Sequence, residues 1–498
     1  MLDVEAAIAV AARIRGHDVH AVICDGVAKA CVKREITVDP DIEKWSEECA
    51  SCRKSCENKL KFFNLDYSVF GDHISPARVE ELRSIAGTVE WKDLPSFEFE
   101  GVKVGPSIRS SILRYLRGMD FNGDARLLRE YVFAGLVALV AANNSYTREK
   151  ATNVFMSHGI YVDWGPALRS AIDRGLKMTC WMGSYLHAAF YFRHPKDYVN
   201  LDFHNIDEST WIKEKSPLSE VEARRLDHYL VNRYVKGKTF DVKELKSYGS
   251  VSEEFRRKFV FNNGKKTWAI FAHVNWDCVT DYAPMLFDDF NQWIASTISA
   301  LENDDSVNWL LKVHPAEAWD NPATGVQAMV KERFQKLPDH IRIVGFDEDI
   351  NPLVFYGLID GAVTVYGTPG LEMAYLGKPV IMAGRAHYAG KGFTYDPGTR
   401  EEYYELLHSA RDVGPISTEK QDLAKRYSYI YFVQRQVPFP PVVNRRASKE
   451  SNFWEFNIRS RNLLIPGGDR YVDFIVDRMI DDNEFLLPRD LEPVEQLQ

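Results

Sequence analysis

Residues Asp3 to Ile14 place alanine and aliphatic side chains at helical spacing, and Gly16 ends the run. Asp18-Val-His-Ala-Val-Ile-Cys24 follows as an apolar stretch of strand length. Helix, glycine turn and strand make one unit of an α/β layer. A strand would ordinarily precede that helix, and the sequence begins too late to supply it. Helical periodicity returns over 107–117 and 124–142, and 151–156 reads as a strand ending in Ser157-His-Gly159. Pro166 suits the first position of the next helix, where its missing N–H costs nothing; Gly175 stops that helix and 176–181 reads as a strand. The nearly unbroken apolar run Tyr131–Ala142 has the length of a buried helix, short of the ~18 residues that span a bilayer.

The charged, weakly periodic stretch 236–258 reads as a linker. Beyond it the strand pattern recurs at 267–272, 307–313, 341–344, 362–366 and 380–383, with a helix over 284–301. Glu401 onward turns helical, and 471–482 is a closing helix. The expectation is an α/β protein with two Rossmann-like domains, 1–240 and 262–435, and a helical tail over 436–498 that packs back on the first domain.

Several of these strands end in polar or glycine-rich turns, which collects the turns on the sheet edge where ligands bind. Gly367-Thr-Pro-Gly370 follows one of them. Thr368 has a capping hydroxyl, Pro369 suits the first helical turn, and Gly367 and Gly370 let a ligand approach the backbone. Phosphate is the natural guest of such a helix N-terminus. Glu372, early in the helix, is placed to accept hydrogen bonds from a ribose diol. His314, fixed by Pro315, is placed to donate to an anion, and His273 and Asn275 end the neighbouring strand, placed to face a pyrophosphate across the cleft. Lys378 and Arg385 are further candidate neighbours of an anion, with solvated surface charges as the simpler alternative. Asp347-Glu-Asp349 has the spacing of a metal-binding acidic triplet but reads as a turn capping the helix near Pro352.

Tyr366-Gly-Thr-Pro-Gly-Leu-Glu-Met-Ala-Tyr-Leu-Gly-Lys-Pro-Val-Ile-Met-Ala-Gly384 and His387-Tyr-Ala-Gly-Lys-Gly-Phe-Thr394 resemble the capsule polysaccharide biosynthesis family, which includes bacterial β-Kdo transferases of the GT-B fold. Lys312-Val-His-Pro315 resembles that family's His-Pro turn, and 422–431 its late helix. Ser157–Gly165 is similar to a segment of bacterial surface-carbohydrate transferases. Tyr366 stands where many Kdo transferases have Ser or Thr, and Arg385-Ala-His387 where Pro-Phe is common. The resemblance implies a GT-B glycosyltransferase with donor phosphate at Gly367, Thr368 and Gly370, Glu372 on the ribose, and Lys312 and His314 beside the phosphate or base. The implied donor is a CMP- or UDP-linked sugar, and the acceptor a saccharide or lipid-linked saccharide of the bacterial surface.

Composition limits the alternatives. A net charge of -9 argues against a nucleic-acid partner, and 45% hydrophobic with 27% charged residues is ordinary for a globular enzyme. The start of the chain carries no signal-peptide pattern, which points to the cytosol, at the inner face of the membrane if the acceptor is lipid-linked. Five cysteines fall within the first 56 residues. Cys49, Cys52 and Cys56, with Cys24 or Cys31 as a fourth, could hold a structural zinc, and reduced thiols are the simpler alternative. Glycosyl transfer itself requires no metal where helix N-termini and basic groups cover the leaving phosphate. An inverting transferase needs a base for the acceptor hydroxyl, and His158, Asp163 and Asp120 are the candidates, each also readable as a turn-capping polar residue. His187, in an aromatic run, reads as a core histidine. A non-hydrolysing nucleotide-sugar epimerase and a catalytically silent sugar-nucleotide-binding scaffold are the competing readings.

Overall fold

The computed structural model describes residues 1–197, 204–239, 248–281, 284–320, 323–446, 452–481 and 483–493. The chain forms an α/β structure of two compact units. One comprises Met1–Phe203, Thr280–Tyr282 and Gln436–Leu491; the other comprises His204–Val279, Ala283–Arg435 and Glu492–Gln498.

The second unit contains a five-stranded, wholly parallel sheet. Its spatial order is Ile341–Val344, Asn308–Lys312, Thr267–Phe271, Gly361–Thr364, Val380–Met382. The chain thus steps outward twice from the central Thr267–Phe271 strand, then returns to its other side. Between Thr267–Phe271 and Gly361–Thr364 the direction of winding reverses, which in doubly wound sheets opens a crevice at the carboxyl ends of the strands. The strands are apolar on both faces, as burial under helices on both sides requires: Trp268, Ala269, Leu310, Leu311, Ala362 and Val363 are all at most 1% exposed. Gly361 abuts the Trp268 ring so closely that a Cβ there would lie 2.5 Å from it.

Residues 204–239 and the Glu253–Phe259 helix group with this unit, so the boundary falls ahead of the expected linker. The contacts explain why. Arg426 donates to Glu222 at 3.1 Å, and Asn351 Nδ2 donates to the Tyr234 carbonyl at 2.6 Å.

The first unit is helix-rich. The Ala125–Arg148 helix runs through its core with Tyr131 to Ala142 buried throughout, as the unbroken apolar pattern requires. Gly135 lets the Gly105–Leu116 helix cross it; a Cβ at 135 would lie 2.7 Å from Ile108. A four-stranded mixed sheet follows the order Val437–Pro438, Ala189–Arg193, Lys177–Gly183, Asn153–Ser157, with only the last pair parallel. His20–Ile23 and Asp66–Val69 form a separate parallel pair, shorter and less buried than the sequence pattern implies. The C-terminal segment returns to this unit, where Val472 and Ile475 of the Arg470–Asp481 helix join the core around the Leu2–Ile14 helix. That segment also carries a hairpin, Val442–Arg446 with Asn452–Phe456, that helical periodicity did not reveal.

Pro166 does not open its helix. The helix spans Tyr161–Asp173 with Pro166 inside, because Tyr161 takes a left-handed φ of 63° and donates its N–H to Asp281 at 3.0 Å. Asp281 also accepts from Ser107 Oγ at 2.7 Å, a fully buried bond from a residue far along the chain. Among the described residues no helix is long and apolar enough to cross a membrane.

Candidate functional site

The switch point of the parallel sheet gathers the candidates of the second unit. His273 leaves the Thr267–Phe271 strand, His314 the Asn308–Lys312 strand, and Tyr366 and Gly367 the Gly361–Thr364 strand. The His273 ring lies 6.4 Å from His314 and 6.1 Å from Tyr366, and stacks on Phe290 at 4.7 Å. His273 Nδ1 sits 3.1 Å from its neighbour's carbonyl, an acceptor only, so Nδ1 carries the proton and Nε2 is left to accept. Burial holds this imidazole below its ordinary pKa. His314 shows the opposite tautomer. Its Nδ1 accepts the Ala316 N–H at 3.1 Å, so the ring is neutral and Nε2–H is a donor on a solvent-exposed side chain.

Glu317, which the sequence reading passed over, builds this turn. Its carboxylate accepts the Val326 N–H at 2.9 Å and fills the space a Cβ on Gly325 would occupy. Burial raises its pKa to about 7. Its place three residues after His314 was the available signal. Lys312 reaches across to the Gly345 carbonyl at 3.2 Å, tying two strand ends together.

The Thr368–Tyr375 helix starts at this edge, but its cap differs from expectation. Gly367 is the N-cap, and no side chain caps the helix, Thr368 included. Gly370 is glycine for internal reasons: a Cβ would overlap the Tyr388 hydroxyl and lie 2.8 Å from Thr364 Cγ2. Tyr388 in turn donates to the Gly367 carbonyl at 2.6 Å, fixing the turn from below. Tyr388 stands in the glycine-rich segment after the motif, where an aromatic ahead of alanine and glycine was the available cue.

Four further assignments need correction. Glu372 is 2% exposed, and its two oxygens accept from Tyr234 Oη and Tyr356 Oη, both at 2.6 Å, with Arg233 at 3.5 Å. Its carboxylate is a buried anchor for the helix and does not present itself to a ribose. Asn275 commits its amide group to Asn291 and the Thr324 carbonyl, both at 3.0 Å, and so organises the loop instead of facing a pyrophosphate. Lys378 caps a helix end through the Tyr356 carbonyl at 2.7 Å and the Ile359 carbonyl. The acidic triplet does not cap its helix either: Asn351 does, and Glu348 pairs with Lys258 at 3.3 Å. Arg385 is exposed, whereas His387 is buried and stacks on Tyr431 at 4.2 Å.

In the first unit, His158 and Asp163 lie on one strand-to-helix turn. The His158 ring meets Trp164 edge-on at 4.6 Å. Asp163 accepts the Val32 N–H at 2.7 Å, and burial raises its carboxyl to about 6. Asp120 lies apart from them, exposed on a loop.

The cysteines are not gathered for metal. Cys49, Cys52 and Cys56 are spread along the Trp45–Phe62 helix, and among the described residues no group of three His, Cys, Asp or Glu side chains is arranged to hold an ion. Spacings of three and seven on one helix string the thiols over two turns instead of converging them.

Residues 283–413 match the family model described as capsule polysaccharide biosynthesis protein. Among solved structures the chain is similar to the KpsC β-Kdo 2,4-transferase of Thermosulfurimonas dismutans, with 16% identity, 63% of this chain and 87% of that chain covered, and a TM-score of 0.36. It is similar to the glycosyltransferase SnogD of Streptomyces nogalater at 11% identity, with 85% and 91% covered and a TM-score of 0.26. The UDP-GlcNAc 2-epimerase of Neisseria meningitidis gives 10% identity, 82% and 95% coverage and a TM-score of 0.27. No curated protein matches the sequence. Over the stretch that holds most of the switch point, the chain is therefore similar to the capsule polysaccharide biosynthesis family.

Proposed function

We propose that this protein is a glycosyltransferase that moves a sugar from a CMP- or UDP-linked donor to a saccharide or lipid-linked saccharide of the bacterial surface. The observation that carries the reading is the switch point itself: at the carboxyl edge of a parallel sheet, a neutral histidine with an Nε2–H to donate and a helix N-terminus follow the strands on either side of the central Thr267–Phe271 strand. Both features suit a phosphate. His314 donates to a phosphoryl oxygen of the donor, and the backbone around Gly367 and Thr368 supplies positive dipole where charge develops on the leaving group. The aromatic surface of Tyr366, backed by His273 and Phe290, lies beside that position.

The acceptor hydroxyl needs a base, and Asp163 is the carboxylate best tuned for it. At a pKa of about 6 it is mostly ionised at neutral pH yet basic enough to take a proton in the transition state. His158, on the same turn, packs against Trp164 beside it.

The test is turnover. Purified protein is incubated with CMP- and UDP-sugars, with and without surface-saccharide acceptors, and free nucleotide is quantified. Nucleotide release that requires acceptor supports the transferase. Interconversion of the donor without acceptor replaces it with an epimerase, and neither outcome leaves a binding scaffold.

A further inference from the structure

A second groove of the nucleotide-binding unit has no part in the chemistry above. It lies where the Glu253–Phe259 helix and the end of the Val326–Arg333 helix flank Ile341–Val344, the outermost strand of the parallel sheet. Its volume is about 470 Å³. The floor is apolar: Phe259 and Val330 are buried, and Phe334, Leu337 and Ile343 are half-buried. The rim is cationic, carrying Lys258, Lys331, Lys336 and Arg342, and no carboxylate lines the groove.

The four cations are not equivalent. Lys258 is already balanced by Glu254 at 2.9 Å and Glu348 at 3.3 Å. Arg342 donates to the Lys258 carbonyl at 2.9 Å and lies 3.9 Å over the Phe261 ring, so it braces the wall. Lys331 and Lys336 are exposed, and among the described residues neither is drawn into an ion pair. On a chain of net charge -9 this is a local inversion of sign around an apolar floor.

We propose that this groove binds the headgroup and glycerol region of an anionic phospholipid, and so seats the protein on an anionic membrane surface. Charge complementarity selects the phosphate for Lys331 and Lys336. The apolar floor selects an amphiphile over a fully hydrated anion, because only an amphiphile gains from covering Phe334, Leu337 and Ile343. The inference deepens the lipid-linked acceptor of the proposed function, and its assay contains no nucleotide or sugar, so the two readings fail separately.

The experiment is co-sedimentation of the full chain with vesicles of phosphatidylcholine alone or of phosphatidylcholine with phosphatidylglycerol. The expected result is binding to the phosphatidylglycerol vesicles only, weakened by added salt. Each basic side chain at an anionic surface is worth roughly fivefold in partitioning, so the exposed double variant Lys331→Glu/Lys336→Glu should lose at least ~25-fold with its thermal midpoint unchanged. Leu337→Ser, which leaves every charge in place, should also weaken binding. Wild-type protein that stays in the supernatant, or a double variant that sediments as well as wild type, overturns the proposal. So does displacement of wild type by millimolar inorganic phosphate at constant ionic strength, which would make a soluble anion the occupant, or binding that survives Leu337→Ser undiminished.

Discussion

Two strand-to-loop turns in this molecule carry a histidine, and they are built to opposite ends. In the turn after Asn308–Lys312, the backbone N–H of Ala316 occupies His314 Nδ1 and leaves Nε2–H as the donor of an exposed side chain. In the turn after Asn153–Ser157, His158 lies against Trp164, and the group with unusual acidity is Asp163, lifted to about 6 by burial. In the function proposed above, the first turn gives a proton to an anion and the second holds the carboxylate that accepts one. Residue type alone does not separate these roles; the backbone around each side chain does.

The largest effect should come from the carboxylate. Asp163→Asn keeps an oxygen for the Val32 N–H but removes the base, and should lower kcat about 10²–10⁴-fold while nucleotide affinity is unchanged. In the wild type, kcat/KM should rise as pH rises through about 6, because the base acts ionised, and the variant should lose that limb. An Asp163 variant that instead loses nucleotide affinity would break the division between the turns.

Next is the buried anchor of the Thr368–Tyr375 helix. Glu372→Ala removes the shared acceptor of two buried phenols and the carboxylate beside the Arg233 guanidinium, and should destabilise by about 3–5 kcal/mol in urea unfolding. A variant as stable as wild type would return Glu372 to the list of ligand contacts.

Glu317 makes a smaller, pH-dependent contribution. Its folded pKa of about 7 exceeds the ordinary 4.5, so between those values the native state holds a proton the unfolded state has lost. Stability from this group therefore falls as pH rises from about 4.5 to about 7 and stays level above. Glu317→Gln should remove that fall, gaining on the order of 1–3 kcal/mol on wild type between pH 4.5 and 8 in thermal unfolding. A parallel pair of stability curves would contradict the assignment.

An effect of similar size sharpens the reading of the glycine turn. Gly370→Ala should cost ~1–3 kcal/mol through overlap with Tyr388, and Tyr388→Phe should recover part of it. Full additivity of the two changes would place the constraint elsewhere.

Much of the fold was legible because local pattern and tertiary burial agree. The apolar run at Tyr131–Ala142 is a buried helix, and the parallel strands of the second unit fall where the runs of Trp, Ile, Leu and Val stand. What escaped depends on partners distant in sequence. Tyr161 opens its helix early because Asp281, 120 residues later, takes its N–H. Glu372 is an anchor because Tyr234, 138 residues earlier, donates to it. A glutamate early in the helix after a glycine loop looks the same whether it faces a sugar or a buried tyrosine. Gly370 likewise has a reason, but the reason is Tyr388 and not a ligand.

The central claim is that His314 and the Gly367 turn form a nucleotide-phosphate site. It is tested most directly by thermal unfolding of wild type and His314→Ala with CMP, UDP, GDP, dTDP and their sugar conjugates. A nucleotide at ~100 times its Kd should stabilise wild type by about 2.7 kcal/mol. The account predicts that one nucleotide class shifts the wild type, and that His314→Ala has the same midpoint without ligand and little or no shift with it. No shift from any nucleotide, or an equal shift in the variant, would contradict it.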